Sequence, residues 1–211
     1  MERLRQEGPV VGTDEAGRGP LAGPVVAAAV WLTPEQERAL LTLGLRDSKR
    51  MTLRAREAVF QAMNDQGVLW RAQAGSVTRI ERDNILRASL WAMGRSVTRL
   101  AELLPSKPVC VVVDGTMAIS GLDIKQWTLV SADALLPSVS AASVVAKVLR
   151  DRLMTSLDTL YPGYGLARNK GYPTTAHREA VRRLGLSPIH RQSFCQKLLP
   201  GGDIDGLTLF L

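Results

Sequence analysis

The chain has 211 residues, of which 45% are hydrophobic, enough to bury the core of one domain and to exclude a largely disordered protein. It carries 27 Lys and Arg against 20 Asp and Glu, and its net charge of +7 favours a polyanionic partner such as nucleic acid. We expect a soluble cytoplasmic protein with two free thiols. The N-terminus lacks the apolar core of a signal peptide, no run approaches the roughly 20 apolar residues of a membrane span, and the cysteines lack zinc-site spacing.

The first part of the chain predicts strands followed by helices. Apolar runs at 9–14 and 25–32 have strand length and are joined by a glycine-rich turn, which favours an antiparallel pair. The sequence Thr-Pro-Glu-Gln at 33–36 predicts a helix start with a capping box. A second helix begins at Thr52, and residues 68–75 predict a third strand.

The second part predicts two long helices around two more strands. The first helix has an apolar face formed by Leu86, Leu90, Met93, Val97, Leu100 and Leu104. Residues 109–114 predict a buried strand that ends at Asp114, and 127–130 predict another. The second helix, 138–160, has an apolar stripe of Val139, Ala142, Ala146, Leu149, Leu153, Leu157 and Leu160. A loop at 161–173 and a last helix to Leu184 follow. This order predicts an α/β domain with a mixed sheet.

Four acidic residues lie at or just after the ends of predicted strands: Asp14, Glu15, Asp114 and Asp133. The carboxyl ends of strands in α/β sheets are where functional sites form. Neighbouring carboxylates repel one another in a low dielectric, so such a cluster needs protons or cations, and hard oxygen ligands select Mg²⁺ or Mn²⁺. Asp at a strand end is also a common turn or helix cap. The spacing alone therefore leaves a metal cluster and ordinary caps both open.

Several short blocks, in order between about positions 10 and 195, together resemble the ribonuclease HII family. The blocks begin with Asp14-Glu15-Ala16-Gly17-Arg18-Gly19-Pro20-Leu21-Ala22-Gly23 and Asp47-Ser48-Lys49, continue through Val113-Asp114-Gly115 and the segment 140–151, and end with Tyr161-Pro162-Gly163-Tyr164-Gly165, Lys170-Gly171-Tyr172-Pro173-Thr174 and His190-Arg191-Gln192-Ser193-Phe194. The resemblance implies a ribonuclease H-like fold, a central mixed β-sheet flanked by helices, with a small C-terminal helical segment.

The resemblance also implies that the four acids, Asp14, Glu15, Asp114 and Asp133, are catalytic and ligate metal. Ser131-Ala132 stands where the family has Lys-Gly before the fourth acid. We prefer Asp133 to Asp151 for this role, because Asp151 lies deep inside a predicted helix, where basic neighbours can pair with it. Asn169 replaces a frequent family His, so no role is transferred to that position.

Substrate contacts follow from the same resemblance. The loop Gly17-Arg18-Gly19 is expected at the ribose 2′-hydroxyl, and Tyr172 is expected to pack on the sugar at the ribonucleotide–deoxyribonucleotide junction. An ordinary tight turn and a structural Tyr are the alternatives. Candidate phosphate contacts are Arg18, Lys49, Lys170, Arg191 and Ser193. We interpret His177 and His190 as hydrogen-bonding scaffold, since their spacing suits neither a metal site nor a triad.

The implied function is an endonuclease that cuts RNA/DNA hybrids and single ribonucleotides in duplex DNA during repair, using two Mg²⁺ or Mn²⁺ ions and leaving 5′-phosphate and 3′-hydroxyl ends. The alternatives are a basic nucleic-acid-binding module without metal dependence, and ribonuclease HIII, which carries an extra N-terminal domain. We predict a catalytic domain at 1–199 and a tail at 200–211. In that tail, Leu207-Thr208-Leu209-Phe210 partly resembles a peptide that binds the replication sliding clamp. A tail packed on its own domain is the alternative.

Overall fold

A computed structural model describes residues 6–46 and 48–198, except for the side chain of Lys49. Its strands are β1 Val10–Ala16, β2 Val25–Trp31, β3 Leu69–Gly75, β4 Cys110–Asp114 and β5 Gln126–Leu129. Its helices are α1 Pro34–Thr42, α2 Leu53–Asp65, α3 Val77–Asp83, α4 Ile85–Ala101, α5 Pro137–Leu160, α6 Leu166–Asn169, α7 Thr175–Leu184 and α8 Gln192–Cys195. Short 3₁₀ turns lie at Ser48–Arg50, Ala132–Ala134 and Gln196–Leu198. The predicted order of strands and helices is confirmed.

The sheet is mixed, as predicted, with the strand order β3-β2-β1-β4-β5. Strand β2 pairs antiparallel with both β1 and β3, whereas β4 pairs parallel with both β1 and β5. The central pair, β1 and β4, therefore runs in one direction and ends at one edge of the sheet. Strand β1 continues two residues beyond its predicted end, so Asp14 and Glu15 are still paired with β2.

Local signals account for the predicted helix starts. Thr33 and Gln36 form the reciprocal capping box that the sequence indicated, and Pro34 occupies the first turn of α1. The side chain of Thr52 caps α2 by accepting a hydrogen bond from the Ala55 backbone. Gly185 ends α7 with φ 75°, a value that glycine adopts without strain.

The two long helices cover opposite faces of the sheet. Helix α4 packs against β2 and β3, and α5 packs directly on β1 and β2. The contact between α5 and β1 requires Gly12, since a Cβ there would overlap the backbone of Ser138 and Val139. This close approach brings the first turns of α5 beside the end of β1.

The predicted apolar stripe of α5 is only partly correct. Val139, Ala142 and Ala146 are buried, but Leu160 is 70% exposed, and Met154, outside the stripe, is buried. The first half of α5 is buried on nearly all sides, because the sheet, α2 and the 3₁₀ turn at Ala132–Ala134 all contact it. A single-face pattern cannot describe a helix that is surrounded.

The segment after α5 folds back onto the turn between β1 and β2. The predicted loop contains the short helix α6, and a small core cluster joins Ala22 of the turn to Met154, Tyr164, Leu166 and Val181. Ala22 also forms an isolated bridge with His190. The C-terminal helical segment thus supports the glycine-rich turn. Within the described residues, no helix is long and apolar enough to cross a membrane.

Candidate active site

Asp14 and Asp114 lie side by side at the edge where two parallel strands end. The register pairs Thr13 with Val113, which makes the next residues, Asp14 and Asp114, neighbours on adjacent strands. Both side chains point to the α5 face, because side chains alternate along a strand and Gly12 and Val112 face α5 in the same way. The fold thus brings together two carboxylates that are 100 positions apart in the sequence.

Glu15 points to the other face of the sheet, toward α4. The hydroxyl of Ser89 on α4 hydrogen-bonds its carboxylate, and the guanidinium Nη1 of Arg18 lies 3.5 Å from its Oε1. Arg18 remains exposed. Glu15 therefore flanks the Asp14–Asp114 pair from the α4 side, at the start of the glycine-rich turn.

Asp133 is held next to the pair by the turn before α5. The backbone N–H of Ala132 donates to Asp114 Oδ1 at 2.7 Å, and the Ser140 hydroxyl donates to the carbonyl of Asp133. Asp133 is buried in the 3₁₀ turn that contacts both β4 and α5. By contrast, Asp151 lies within α5 and pairs with Lys147 at 2.8 Å and with Arg56 at 4.0 Å, as expected from the sequence.

The carboxylates disturb one another's ionisation. Burial raises the pKa of Asp14 well above its ordinary value, and the charges of Glu15 and Asp114 raise this pKa further. Hydrogen bonds from Ser143 and from the Glu15 backbone oppose the rise. Burial also raises the pKa of Glu15, with Arg18 and Ser89 opposing and Asp114 adding to the effect. The site holds more negative charge than its surroundings neutralise.

This donor set fits a hard divalent cation. Carboxylate oxygens are the ligands that Mg²⁺ and Mn²⁺ prefer, and a cation would relieve the repulsion that raises the pKa of Asp14. Within residues 6–46 and 48–198, however, no three His, Cys, Asp or Glu side chains are already grouped to hold an ion. Binding would therefore require the carboxylates to turn toward one another.

Three serines support the site, and none of them was assigned a role from the sequence. Ser143 on α5 hydrogen-bonds Asp14, and its Oγ lies 2.7 Å from Oγ of Ser48. Ser89 supports Glu15 in the same manner. For Ser143, the signal in the sequence was its repetition with Ser138 and Ser140 within an otherwise apolar helix segment. Buried hydroxyls in such a segment need polar partners, and Ser143 finds one in Asp14 while Ser140 donates to the carbonyl of Asp133.

Two fully buried arginines hold the glycine-rich turn. Arg150 donates to the carbonyls of Ala22, Pro24 and Lys170 at 2.9–3.2 Å. Arg191 donates to the carbonyls of Gly17, Arg18 and Gly23 at 2.7–3.0 Å. The predicted phosphate contact of Arg191 therefore does not fit its position, because the whole guanidinium is buried against backbone carbonyls.

Gly17 is required where the turn meets Arg150. Its φ is 100°, and a Cβ at this position would overlap the guanidinium of Arg150. Gly19 is exposed, with open space around the position of a Cβ. Arg18, between them, projects into solvent. The backbone of the turn is therefore held by Arg150 at Gly17 and is accessible to solvent at Arg18 and Gly19.

Of the remaining predicted substrate contacts, Lys170 and Tyr172 lie beside this turn, because the carbonyl of Gly171 between them accepts from Leu21 N–H. Lys170 Nζ donates to Thr155 Oγ1 at 2.6 Å, and the Tyr172 ring is 38% exposed. Ser193 lies further away on α8, and its hydroxyl donates to Glu81 at 2.9 Å, so a phosphate would have to compete with that carboxylate. The side chain of Lys49 lies outside the described residues. Asn169, which departs from the family pattern, bonds the backbone of Tyr164 and Gly171 at 2.7 Å and so supports the same loop.

Comparison with known proteins decides the family. A family model described as Ribonuclease HII matches residues 11–197, a span that contains all four acids. The chain belongs to the ribonuclease HII family. The ribonuclease HII of Moorella thermoacetica is 48% identical over 194 residues, which cover 91% of this chain and 90% of that protein. Family membership makes the chain a hydrolase with ribonuclease H endonuclease activity.

Solved structures share the fold. Bst-RNase HIII in complex with Mn²⁺ matches with a TM-score of 0.72 and 22% identity over 86% of this chain and 63% of that chain. The structure of the PCNA:RNase HII complex from Archaeoglobus fulgidus matches with a TM-score of 0.72 and 23% identity over 94% of this chain and 98% of that chain. Members of the ribonuclease H family use divalent metals and act on RNA/DNA hybrids.

Proposed function

We propose that the protein hydrolyses the phosphodiester bond at ribonucleotides, both in RNA/DNA hybrids and at single ribonucleotides embedded in duplex DNA, and leaves 5′-phosphate and 3′-hydroxyl ends. The observation that carries the proposal is the adjacent pair Asp14 and Asp114: burial raises the pKa of Asp14, and the charges of Glu15 and Asp114 raise it further. Such a pair favours a divalent cation, and nuclease chemistry uses cations to stabilise charge on phosphate oxygens.

The four acids would hold two Mg²⁺ or Mn²⁺ ions. Asp14 has the central place, because it lies beside Asp114 on one side and Glu15 on the other, and so suits a bridging ligand. Bound ions would activate the attacking water and stabilise the leaving 3′-oxygen. Asp114 accepts from the Ala132 N–H and Asp14 from Ser143, and these contacts would hold the two carboxylates until a cation draws them together.

The glycine-rich turn would read the sugar. Its backbone at Gly17, Arg18 and Gly19 begins two residues after Glu15, close enough to the acids to contact the ribose whose bond is cut. Arg191 and Arg150 hold the turn in place. A rigid turn favours recognition of one 2′-hydroxyl over nonspecific binding to the sugar–phosphate backbone. Arg18 and Lys170 would contact phosphates, and Tyr172 would pack on the next sugar.

The test is cleavage of a DNA duplex that carries one ribonucleotide, with Mg²⁺, with Mn²⁺ and with EDTA. An all-DNA duplex and an RNA/DNA hybrid of the same sequence are the substrate controls. Asp14→Asn tests the site, and Asp123→Asn is its matched control, because Asp123 is fully exposed and 3.5 Å from Lys107. We expect incision next to the ribonucleotide only when metal is present. We expect it from wild type and Asp123→Asn, and not from Asp14→Asn. Binding without cleavage under every condition would favour the basic nucleic-acid-binding module instead.

A clamp partner is a separate proposal for the tail. Residues 200–211 lie outside the described residues, so packing on the domain and docking elsewhere both stay open predictions. The Archaeoglobus fulgidus structure is that of a PCNA:RNase HII complex, which supports a clamp as partner. Deletion of 203–211 should abolish binding to the host clamp and leave single-turnover cleavage unchanged. Unchanged clamp binding, or loss of folding, would contradict the proposal.

A further inference from the structure

The two histidines of the protein form one buried series of hydrogen bonds that ends at Tyr172. His190 Nδ1 lies 3.0 Å from the Ser187 backbone N and 2.7 Å from the Ser187 hydroxyl. His190 Nε2 lies 3.2 Å from His177 Nε2, and His177 Nδ1 lies 2.9 Å from the carbonyl oxygen of Tyr172. Both rings are at most 2% exposed. Each ring therefore has partners on both nitrogens.

The donors and acceptors allow one arrangement of protons for two neutral rings. A backbone N–H can only donate, so Nδ1 of His190 accepts from Ser187 and the His190 proton sits on Nε2. That Nε2–H donates to Nε2 of His177, which must then carry its own proton on Nδ1. The Nδ1–H donates to the Tyr172 carbonyl, which can only accept. The two rings thus have opposite tautomers.

Protonation of either ring disrupts this series of hydrogen bonds. A protonated His190 would turn an Nδ1–H against the Ser187 N–H, and a protonated His177 would turn an Nε2–H against the Nε2–H of His190. Burial lowers the pKa of both rings, to about 4 for His190, and the charge of His177 adds to that lowering. Among the described residues, the other ionisable groups at the pair are the Tyr164 ring, 4.7 Å from the His190 ring, and Arg191, whose guanidinium faces carbonyls of the turn.

The Tyr172 carbonyl, where this series of hydrogen bonds ends, lies in a tightly held part of its loop. Gly171 has φ 81°, its carbonyl accepts from Leu21 N–H at 2.8 Å, and a Cβ there would overlap the Ala22 carbonyl. Tyr172 is 38% exposed, with Lys147 Nζ 5.6 Å from its ring centroid. The backbone of Tyr172 is therefore fixed, while part of its side chain is accessible to a ligand.

We propose that His177 and His190 are positioning residues: as a neutral relay from Ser187, they fix the Tyr172 carbonyl and thereby aim the Tyr172 ring at the nucleic acid bound beside the glycine-rich turn. The proposal rests on the proposed function, since it assigns the ring to the same substrate. It differs from a general scaffold role in two ways. It requires opposite tautomers, and it requires that the effect of His177 on cleavage pass through Tyr172.

The tautomers can be observed without any substrate. The chain contains only two histidines, so ¹⁵N-correlated NMR of the imidazole rings gives two spin systems and needs little assignment. We expect one Nδ1–H ring and one Nε2–H ring, both still neutral below the ordinary histidine pKa of about 6.5. Two rings with the same tautomer, or a ring that titrates normally, would overturn the relay even if the enzyme cleaves as proposed.

The functional part is tested with two substitutions of one ring. In His177→Asn, the amide nitrogen takes the place of Nδ1 and can still donate to the Tyr172 carbonyl. In His177→Gln, the amide takes the place of Nε2 and loses that contact. We expect His177→Gln to lower kcat/KM on the single-ribonucleotide duplex about fivefold, the value of one lost hydrogen bond, and His177→Asn to restore most of it.

The same substitutions in a Tyr172→Ala background complete the cycle. If His177 acts through the Tyr172 ring, His177→Gln should cause no further loss once the ring is absent, so the two effects will not add. Equal losses for Asn and Gln, or fully additive losses, would overturn the positioning role. If wild-type protein cleaves no substrate, the proposed function has failed, while the NMR result still decides the relay.

Discussion

The carboxylate end of the sheet and the arginine-held turn are adjacent regions that bury charge in opposite ways. Asp14 lies beside Asp114 and Glu15, and their like charges add to burial in raising its pKa. Arg150 and Arg191 are buried as deeply, but their guanidinium groups donate to backbone carbonyls of the turn and of the loop before α7. Burial and the charge of Arg150 lower the pKa of Arg191 to about 9, but the guanidinium donors have their hydrogen-bond partners within the chain. The carboxylates instead have like charges as neighbours.

The difference separates a site from its support. A buried charge whose hydrogen bonds are all satisfied within the chain stabilises a shape, and it has little capacity left for a ligand. Buried like charges that raise one another's pKa are stable only with added protons or cations, which makes them candidates for binding. On this basis Arg191 belongs to the support, and Asp14 and Asp114 belong to the site.

The largest expected effect is on the cleavage rate, after substitution of the carboxylates. Asp14→Asn and Asp114→Asn should each lower single-turnover cleavage by about a hundredfold or more, because an amide keeps the volume but loses the charge that holds a cation. Asp133→Asn should behave like them, whereas Asp151→Asn should keep most activity. Rates on the single-ribonucleotide duplex check this, and an inactive Asp151→Asn beside an active Asp133→Asn would reverse the assignment of the fourth acid.

The next largest expected effect is on the stability of the fold, after substitution of a buried arginine. Arg150→Met should lower the free energy of unfolding by about 3 kcal/mol, since it leaves buried carbonyls without donors. Arg152→Met is the matched control from the same helix. Arg152 is half exposed and pairs with Glu57 at the surface, so its loss should cost about 1 kcal/mol or less. Urea unfolding of both variants gives the comparison, and equal losses would mean that burial of Arg150 stabilises nothing.

The sequence predicted the fold and the strand-end positions of Asp14 and Asp114 better than it predicted what supports the glycine-rich turn. Strand ends, caps and family motifs are local signals, so Asp14, Asp114 and the Thr33 cap could be identified before the structure. The role of Arg191 could not, because its partners, Gly17 and Gly23, lie more than 160 positions away. A basic residue in a family motif suggested phosphate, and only burial distinguishes a cation that binds substrate from one that binds backbone.

The carboxylates and the buried pair His177 and His190 should respond oppositely to pH in metal-free protein. The raised pKa of Asp14 and Glu15 means that the folded state holds protons that the unfolded state has released, so this contribution to stability falls as pH rises from about 4. The lowered pKa of His177 and His190 gives stability above pH 6.5 that is lost as pH falls through the lowered values, about 4 for His190. Urea unfolding in EDTA between pH 4 and 8 should therefore show a smaller decline with rising pH in Asp14→Asn than in wild type.

The smallest effect concerns Tyr172, whose ring centroid lies 5.7 Å from the Arg150 guanidinium. Tyr172→Ala should lower cleavage of the single-ribonucleotide duplex about tenfold, the value of one packed ring, and lower cleavage inside a long hybrid less, because a junction sugar is absent there. The ratio of the two rates is the measurement. Equal losses on both substrates would leave Tyr172 with a structural role only.

The central claim, that the carboxylate cluster is completed by a divalent cation, is tested most directly by thermal unfolding during a Mn²⁺ titration. A ligand that binds only the folded state raises Tm with its concentration. We predict a rise for wild type and for Asp123→Asn, and little or no rise for Asp114→Asn, whose Tm without metal should equal or exceed that of wild type. An equal rise in Asp114→Asn, or no rise in wild type, would contradict the claim.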